Sequence, residues 1–269
     1  MLKLAVIGAQ TLLGRELVEV LEARECSVLP LAAGPMTRQD EEGNLVVFAP
    51  TPALLEGLEL VILADAPDDN GLLDGFQGRV LDLRDGGAAV GKPLPLAGGW
   101  PKGTARIKGR PALEQVLAFI PKLVDGVTDI SGVHLSSVAC LGDKGVSGLA
   151  AQSLAILEGS EPDETLLGYR AAFEAIPQTP RGSLTEVRIP TFHGDILILN
   201  LRGDLKVKSA PKNAKWLDKP PTSREVAVTS LLLAYYKAGT KQSATLTLGF
   251  DPILWGVLQP IMRLLELEK

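Results

Sequence analysis

The sequence predicts an α/β protein, with a doubly wound parallel sheet in its first part and a mixed or antiparallel sheet with helices on one face in its second. Three observations predict this. The chain opens on a short apolar run, a glycine-bearing turn and an amphipathic helical pattern. Apolar strand patterns then alternate with short helix or turn patterns. After residue 108 the strand patterns lengthen and crossovers become few.

The opening elements are Leu2–Ile7 as a strand, Gly8–Gly14 as a tight turn, and a helix carrying Leu13, Leu17, Val20 and Leu21 on one face. Val28–Ala32, Val46–Phe48, Leu58–Ala64 and Arg79–Leu83 are expected as further strands, with Pro52–Glu56 and Asn70–Phe76 as short helices or turns between them. Such continuous apolar runs suit parallel strands covered on both faces. Gly86–Lys108 is rich in Gly and Pro without clear period and is expected to connect two domains, 1–108 and 109–249. In the second, Pro111–Leu123, Gly148–Leu157 and Ser223–Ala238 are expected as helices. Val133–Cys140, Leu166–Ala172, Leu184–Pro190 and Asp195–Arg202 are expected as strands.

Composition narrows the function. The chain has 269 residues, 46% hydrophobic and 22% charged, enough to bury a sizeable core. A net charge of -5 argues against nucleic acid or an anionic membrane as the main partner, because both need a clustered basic surface. Lys206, Lys208, Lys212 and Lys215 form the one basic run, read as a solvated loop. Cys26 and Cys140 give neither a disulfide framework nor a metal-ligand spacing, which fits a reducing compartment. No leader pattern is read at the start, and no apolar run approaches the ~18 residues of a membrane span. The expectation is a cytoplasmic protein without a metal.

Residues 4–14, Leu-Ala-Val-Ile-Gly-Ala-Gln-Thr-Leu-Leu-Gly, keep the glycines that start and finish a dinucleotide-binding turn. In such a turn the first glycine permits the bend, the middle one lets a pyrophosphate approach, and the last seats the helix on the strand. Here Gly8 and Gly14 flank Thr11, whose side chain stands where the middle glycine should be.

This opening resembles that of the aspartate-semialdehyde dehydrogenase family, Gly-Ala-Thr-Gly-x-Val-Gly. Tyr169–Gln178 is similar to the family's Arg-x-x-Phe-Asn-x-Ile-Pro-Gln, and Arg188–Asn200 to its Arg-x-Pro-x-Phe-x-Gly-His-x-x-x-x-Asn. The resemblance covers nearly the whole chain. It implies a Rossmann-type nucleotide-binding domain to which a C-terminal helix, 250–269, returns, and an inserted α+β domain that mediates homodimerisation. It also implies thiol attack on an aldehyde, hydride transfer to NADP, and phosphorolysis with a His as acid and base.

The residues for that chemistry are missing from this chain. Aligning Gln115 with the Gln of the family's Asn-Pro-Asn-Cys-Ser-Thr-x-Gln puts Pro111 at the nucleophile, although a thiolate is what the attack requires. Matching Arg188, Pro190, Phe192, Gly194 and Asn200 puts Asp195 at the acid–base His, and an Asp cannot replace an imidazole at neutral pH unless its pKa is raised by several units. Ala139 replaces the Gln of Ser-Thr-Tyr-Gln-Ala. The acidic and Lys pair between the family's later segments is deleted, since only Thr179–Glu186 joins them. On the cofactor side Ala64-Asp65-Ala66-Pro67 replaces Ser-Ala-Gly-Gly, and Pro252 replaces an Asn that holds the nicotinamide. Of the expected substrate-binding set Arg188 remains.

Three readings follow. The first is a catalytically inactive homodimer kept as a scaffold, or as the partner or regulator of another protein. The second is an NADP-dependent dehydrogenase whose chemistry has moved to Cys140 and His193. The third is a small-ligand sensor built around Arg188. Alternation with Val138 in an apolar strand predicts that Cys140 is a buried, inert thiol. His193, two residues before Asp195, is expected on the same strand face.

Overall fold

The computed structural model describes residues 1–34, 47–65, 71–84, 89–180, 182–240 and 242–267. The chain divides into two compact units, Met1–Pro111 with Val257–Lys269, and Ala112–Gly256.

The first unit is a parallel sheet of the Rossmann type. Its elements are β1 (Lys3–Ile7), α1 (Leu12–Glu22), β2 (Ser27–Leu31), β3 (Leu60–Leu63), β4 (Arg79–Asp82), β5 (Lys92–Pro93) and β6 (Arg106–Lys108). The strand order is β2-β1-β3-β4-β6-β5, every pair parallel, so the order reverses between β1 and β3. Leu4 to Ile7 and Leu60 to Leu63 are fully buried, which is why these strands read as unbroken apolar runs. Helix α1 buries Gly14, Leu17, Val18 and Leu21, the i, i+3, i+4, i+7 stripe of an amphipathic helix. Phe48 makes only an isolated parallel bridge with Leu31. Val46, Ala66, Pro67 and Asn70 lie outside the described residues.

The stretch expected to be a connection contributes two strands instead. β6 pairs with β4 and β5 extends the edge, where Pro93 costs no ladder bond that the sheet needs. Asp82, at the end of β4 and fully buried, organises this region. It accepts Arg84 Nε at 2.9 Å, Arg84 Nη2 at 2.9 Å, Arg106 Nη2 at 2.7 Å and the Val90 amide at 3.1 Å. The end of the chain belongs to this unit. Arg24 Nη1 donates to the Leu267 carbonyl at 2.8 Å, and Arg263 Nη2 to that of Pro95 at 2.9 Å.

The second unit contains α2 (Ala112–Phe119), β7 (Val124–Ser136), α3 (Gly142–Leu157), β8 (Ile176–Pro177), β9 (Leu184–Arg188), β10 (Asp195–Val207), β11 (Ala214–Trp216), α4 (Ser223–Val226), β12 (Leu232–Thr240) and β13 (Ser243–Phe250). Its mixed sheet runs β11-β12-β13-β10-β7-β9-β8, with the β11–β12 and β7–β9 pairs parallel and the others antiparallel. Leu197, Leu199 and Leu201 of β10 and Leu246, Leu248 and Phe250 of β13 point to one face and pack with Leu113, Val116 and Phe119 of α2. On the other face Ile196 packs with Val226 and Leu233, while Ile198 is 38% exposed and Asn200 and Arg202 are exposed.

Three expectations in this unit are corrected. The strand expected through Cys140 ends at Ser136, and Val138–Leu141 form a 3₁₀ turn. Leu166–Ala172 is not a strand but a run of turns, held by Gln152 of α3. Of the helix expected over Ser223–Ala238 only Ser223–Val226 forms, opened by a capping box between Thr222 and Glu225, after which the chain becomes β12. An apolar run such as Leu231–Tyr236 has no period that separates helix from strand, and pairing with β11 and β13 decides for strand. Among the described residues no helix is long and apolar enough to cross a membrane.

The Asp82 cluster predicts a pH dependence. Burial alone would raise this carboxyl, but the hydrogen bonds from Arg84, Arg106 and the Val90 amide outweigh it and hold the group at about 2, below the ordinary 3.8. A depressed folded-state value gives stability that is complete above pH 4 and is lost as pH falls towards 2, amounting to about 2 kcal/mol. Asp82→Asn should cost about 3 kcal/mol at neutral pH by leaving buried guanidinium groups uncompensated, and should flatten this acid limb. Urea unfolding at pH 7, 4 and 2.5 checks both, and an unchanged acid limb in the variant would refute the assignment.

Candidate functional site

At the strand-order reversal of the first unit, the turn after β1 is closed on itself. Gly8 has φ +89°, and a Cβ there would lie 2.5 Å from the Asp65 carbonyl oxygen. One on Gly14 would strike the backbone of Gly8. Both glycines are therefore required by packing. Thr11 is the N-cap of α1: its hydroxyl donates to the Gly8 carbonyl at 2.8 Å and accepts the Gly14 amide at 3.1 Å. The side chain does not merely stand where phosphates would approach; it takes up one of the helix N-terminal donors that a phosphate would use.

In the second unit, Asp195 opens the central strand β10 and is 1% exposed. Its Oδ1 accepts the Ser137 amide at 2.8 Å and the Ser137 hydroxyl at 2.7 Å, and its Oδ2 lies 2.9 Å from His134 Nε2. The His134 ring stacks on Phe250, centroids 5.9 Å apart, and Nδ1 is buried without a hydrogen-bond partner. The neutral Nε2–H tautomer fits this best, because it bonds the carboxylate and leaves only a lone pair, not a proton, unsatisfied at Nδ1. Ser137 also explains why β7 stops: its amide turns to Asp195, and the next two amides, of Val138 and Ala139, bond the Thr191 and Phe192 carbonyls at 2.9 and 3.0 Å.

That turn also corrects the expectation for Cys140, which is exposed and not buried. Arg188, at the end of β9, donates from Nη1 to the Tyr169 hydroxyl at 3.1 Å and lies 3.8 Å from Glu186 Oε1, which also accepts the Ser136 hydroxyl at 3.2 Å. Burial would lower its pKa, but the Tyr169 hydrogen bond and the negative charges that Cys140, Tyr169 and Glu186 can carry outweigh this and raise it. A permanent cation thus stands within electrostatic reach of an exposed thiol.

His193 does not share the strand with Asp195. It precedes β10, separated by Gly194 with φ +87°, where a Cβ would meet the Ser223 carbonyl at 2.4 Å. Its Nδ1 lies 3.6 Å from Asp251 Oδ2. Asp251 also accepts the amides of Ile253 at 2.8 Å and Leu254 at 2.9 Å, so it caps the following helical segment, with Pro252 at the first position. Burial pushes the Asp251 carboxyl up, while His193 and these amides more than offset it and hold it below the usual range. Pro111 is exposed and immediately precedes α2, and Ala139 is 3% exposed. No group of three or more metal-ligating side chains occurs among the described residues.

Sequence reasoning missed His134 and Ser137. The available clue was a histidine at an inward position of an alternating strand, which requires a buried partner. The partner, 61 residues away, appears only once β7 and β10 pair.

The whole chain shares its fold with solved aspartate-semialdehyde dehydrogenases. A probable member from Pseudomonas aeruginosa is 18% identical over 97% of this chain and 96% of that one, TM-score 0.73. Aspartate semialdehyde dehydrogenase II from Vibrio cholerae, complexed with ASA, is 16% identical over 99% and 98%, TM-score 0.75. The enzyme from Francisella tularensis is 12% identical over 98% of each chain, TM-score 0.71. No protein-family model and no curated protein sequence matches the chain. At these identities the likeness establishes the fold.

Removing Asp195 should expose what it satisfies. Asp195→Ala is expected to cost about 3 kcal/mol, since it strands the Ser137 donors and His134, and Asp195→Asn distinctly less, since one amide oxygen still accepts from Ser137. Nitrogen NMR should find His134 as the Nε2–H tautomer in the wild type. A stability loss for Asp195→Ala below about 1 kcal/mol would contradict the network.

Proposed function

We propose that the chain is an aspartate-semialdehyde dehydrogenase-like protein that does not carry out the dehydrogenase reaction and serves as a cytoplasmic homodimeric scaffold or regulator. The observation that carries this reading is Asp195. At the position that the resemblance gives to the acid–base His stands a buried carboxylate whose two oxygens are committed to Ser137 and His134. It has no free geometry for proton transfer to a substrate. Pro111 offers no nucleophile at the matching position, and Ala139 no polar group.

NADP does not fit the turn after β1. The Thr11 hydroxyl occupies the α1 N-terminus and the Asp65 backbone abuts Gly8, so no step is assigned to a dinucleotide. A second reading is favoured by one observation: the exposed Cys140 thiol close in charge to Arg188, the setting in which a thiolate is stabilised. It would keep an aldehyde-directed thiol chemistry at a displaced residue. A sensor for small carboxylates at Arg188 would use the same guanidinium, already engaged by Tyr169 and Glu186.

Purified protein with aspartate semialdehyde, phosphate and NADP should show no turnover above background, since losses within one catalytic set are individually severe and do not add. A rate that disappears in Cys140→Ser would establish the second reading instead. Calorimetric titration with NADP and NAD should show no binding in the micromolar range. Thr11→Gly should lower stability by only a few tenths of a kcal/mol through the lost cap, and tight binding by the wild type would refute the argument from the turn.

A further inference from the structure

At the end of the second sheet away from Asp195, the regular pairing of β7 with β10 breaks down. Its register slips between Arg202 and Gly203 and again between Gly203 and Lys206. Gly126 on β7 has φ +71° and Gly203 on β10 has φ +137°; a Cβ on Gly203 would strike the Gly126 carbonyl, and one on Gly126 would strike that of Asp204. Neither position admits a side chain, so the double slip is built into the sheet. Beside it, where Thr240 ends β12 and Ser243 begins β13, lies a groove of about 690 Å³, within the size range of small-molecule sites. Every side chain lining it is polar: Thr128 from β7, Arg202 and Asp204 from β10, and Thr240, Gln242 and Ser243 from the β12–β13 turn.

The groove holds more donors than the fold uses. Thr128 is committed, its hydroxyl donating to the Arg202 carbonyl at 3.2 Å. Among the described residues, the Arg202 guanidinium and the Gln242 side-chain amide make no hydrogen bond or ion pair, although Asp129 stands opposite Arg202 in the β7–β10 register. Thr240 Oγ1 and Ser243 Oγ lie 2.8 Å apart, and each accepts one amide, of Gln242 at 3.4 Å and of Thr240 at 3.3 Å. Whichever hydroxyl donates to the other, the hydrogen of the second has no acceptor among the described residues, so the pair turns one O–H donor outward. We propose that this groove binds a small carboxylate that carries a hydrogen-bond donor beside its carboxyl group, that is, a hydroxy acid or an amino acid. The planar guanidinium matches the two carboxylate oxygens, and the outward O–H adds a third donor. Asp204, whose ion pair with Lys206 at 3.3 Å is exposed, accepts from the ligand's hydroxyl or ammonium group. Gln242 turns its oxygen or its NH2 to the remainder of the ligand. Two carboxylates, Asp204 in the groove and Asp129 near it, against one guanidinium disfavour a phosphate dianion. The lack of apolar lining disfavours an aliphatic ligand.

The groove shares no residue with the Asp195 network or with Arg188, so this inference stands apart from the function proposed above. Proton–nitrogen NMR titration of the full chain with L-serine, D-glycerate and propionate tests it. L-Serine or D-glycerate should shift the amides of Gly203, Gln242 and Ser243 with a dissociation constant of about 1 mM, the range for a few charge-assisted hydrogen bonds in an open site. Propionate, which lacks the second donor, should bind at least ~5-fold more weakly. Arg202→Gln, an exposed substitution, should weaken binding ~10-fold, and Asp204→Asn should remove the preference over propionate. Binding of L-serine without D-glycerate identifies an ammonium ligand, and the reverse identifies a hydroxy acid. No saturable shift at these amides with either compound up to ~20 mM, or binding that Arg202→Gln leaves unchanged, overturns the site. Propionate bound as tightly as both overturns the requirement for a second donor and the role of Asp204.

Discussion

A carboxylate buried at the head of a central strand has to find donors for its lone pairs, and much of the second unit is arranged around that need. Asp195 sits where β10 begins, between β7 and β13. An ionised group there would cost several kcal/mol uncompensated. Its donors come from the neighbouring strand: His134 from within β7, and Ser137 from the point at which β7 stops being a strand. The 3₁₀ turn that follows, the exposure of Cys140 and the start of α3 all descend from that bend.

The first unit solves the same problem with charged donors. Asp82 gathers two guanidinium groups and the Val90 amide, drawing β6 and the segment before β5 towards the end of β4. The arginines are thereby spent on structure. The N-terminus of α1 is likewise occupied by a side chain of its own, Thr11. In both units the strong donors found at the ends of strands and helices are turned inward, onto residues of the chain itself.

The parallel sheet was legible because its strands are buried on both faces and announce themselves as apolar runs, as in Leu4–Ile7 and Leu60–Leu63. The amphipathic α1 was legible for the same kind of reason, a period set by burial, whereas the alternation in β10 appears only in the structure. What was not legible depended on partners distant in sequence. β12 could not be told from a helix until β11 and β13 lay beside it, and β5 and β6 were hidden in a Gly/Pro-rich stretch whose order comes from Asp82. At the candidate site, Thr11 and Asp195 stood out by type and position. The contacts of Asp195 to His134 and Ser137, and the turn that exposes Cys140, require the tertiary pairing of β7 with β10.

The Asp195 contacts also bear on how this sequence can change. An imidazole introduced at 195 would offer at most one acceptor to three donors that now converge there, and it would confront His134 with a second ring in a space shaped for a carboxylate. Residues 134 and 137 would have to change with it before the fold could accept the exchange. Each step taken alone passes through a less stable protein, so Asp195, His134 and Ser137 are tied to one another by the hydrogen bonds they share.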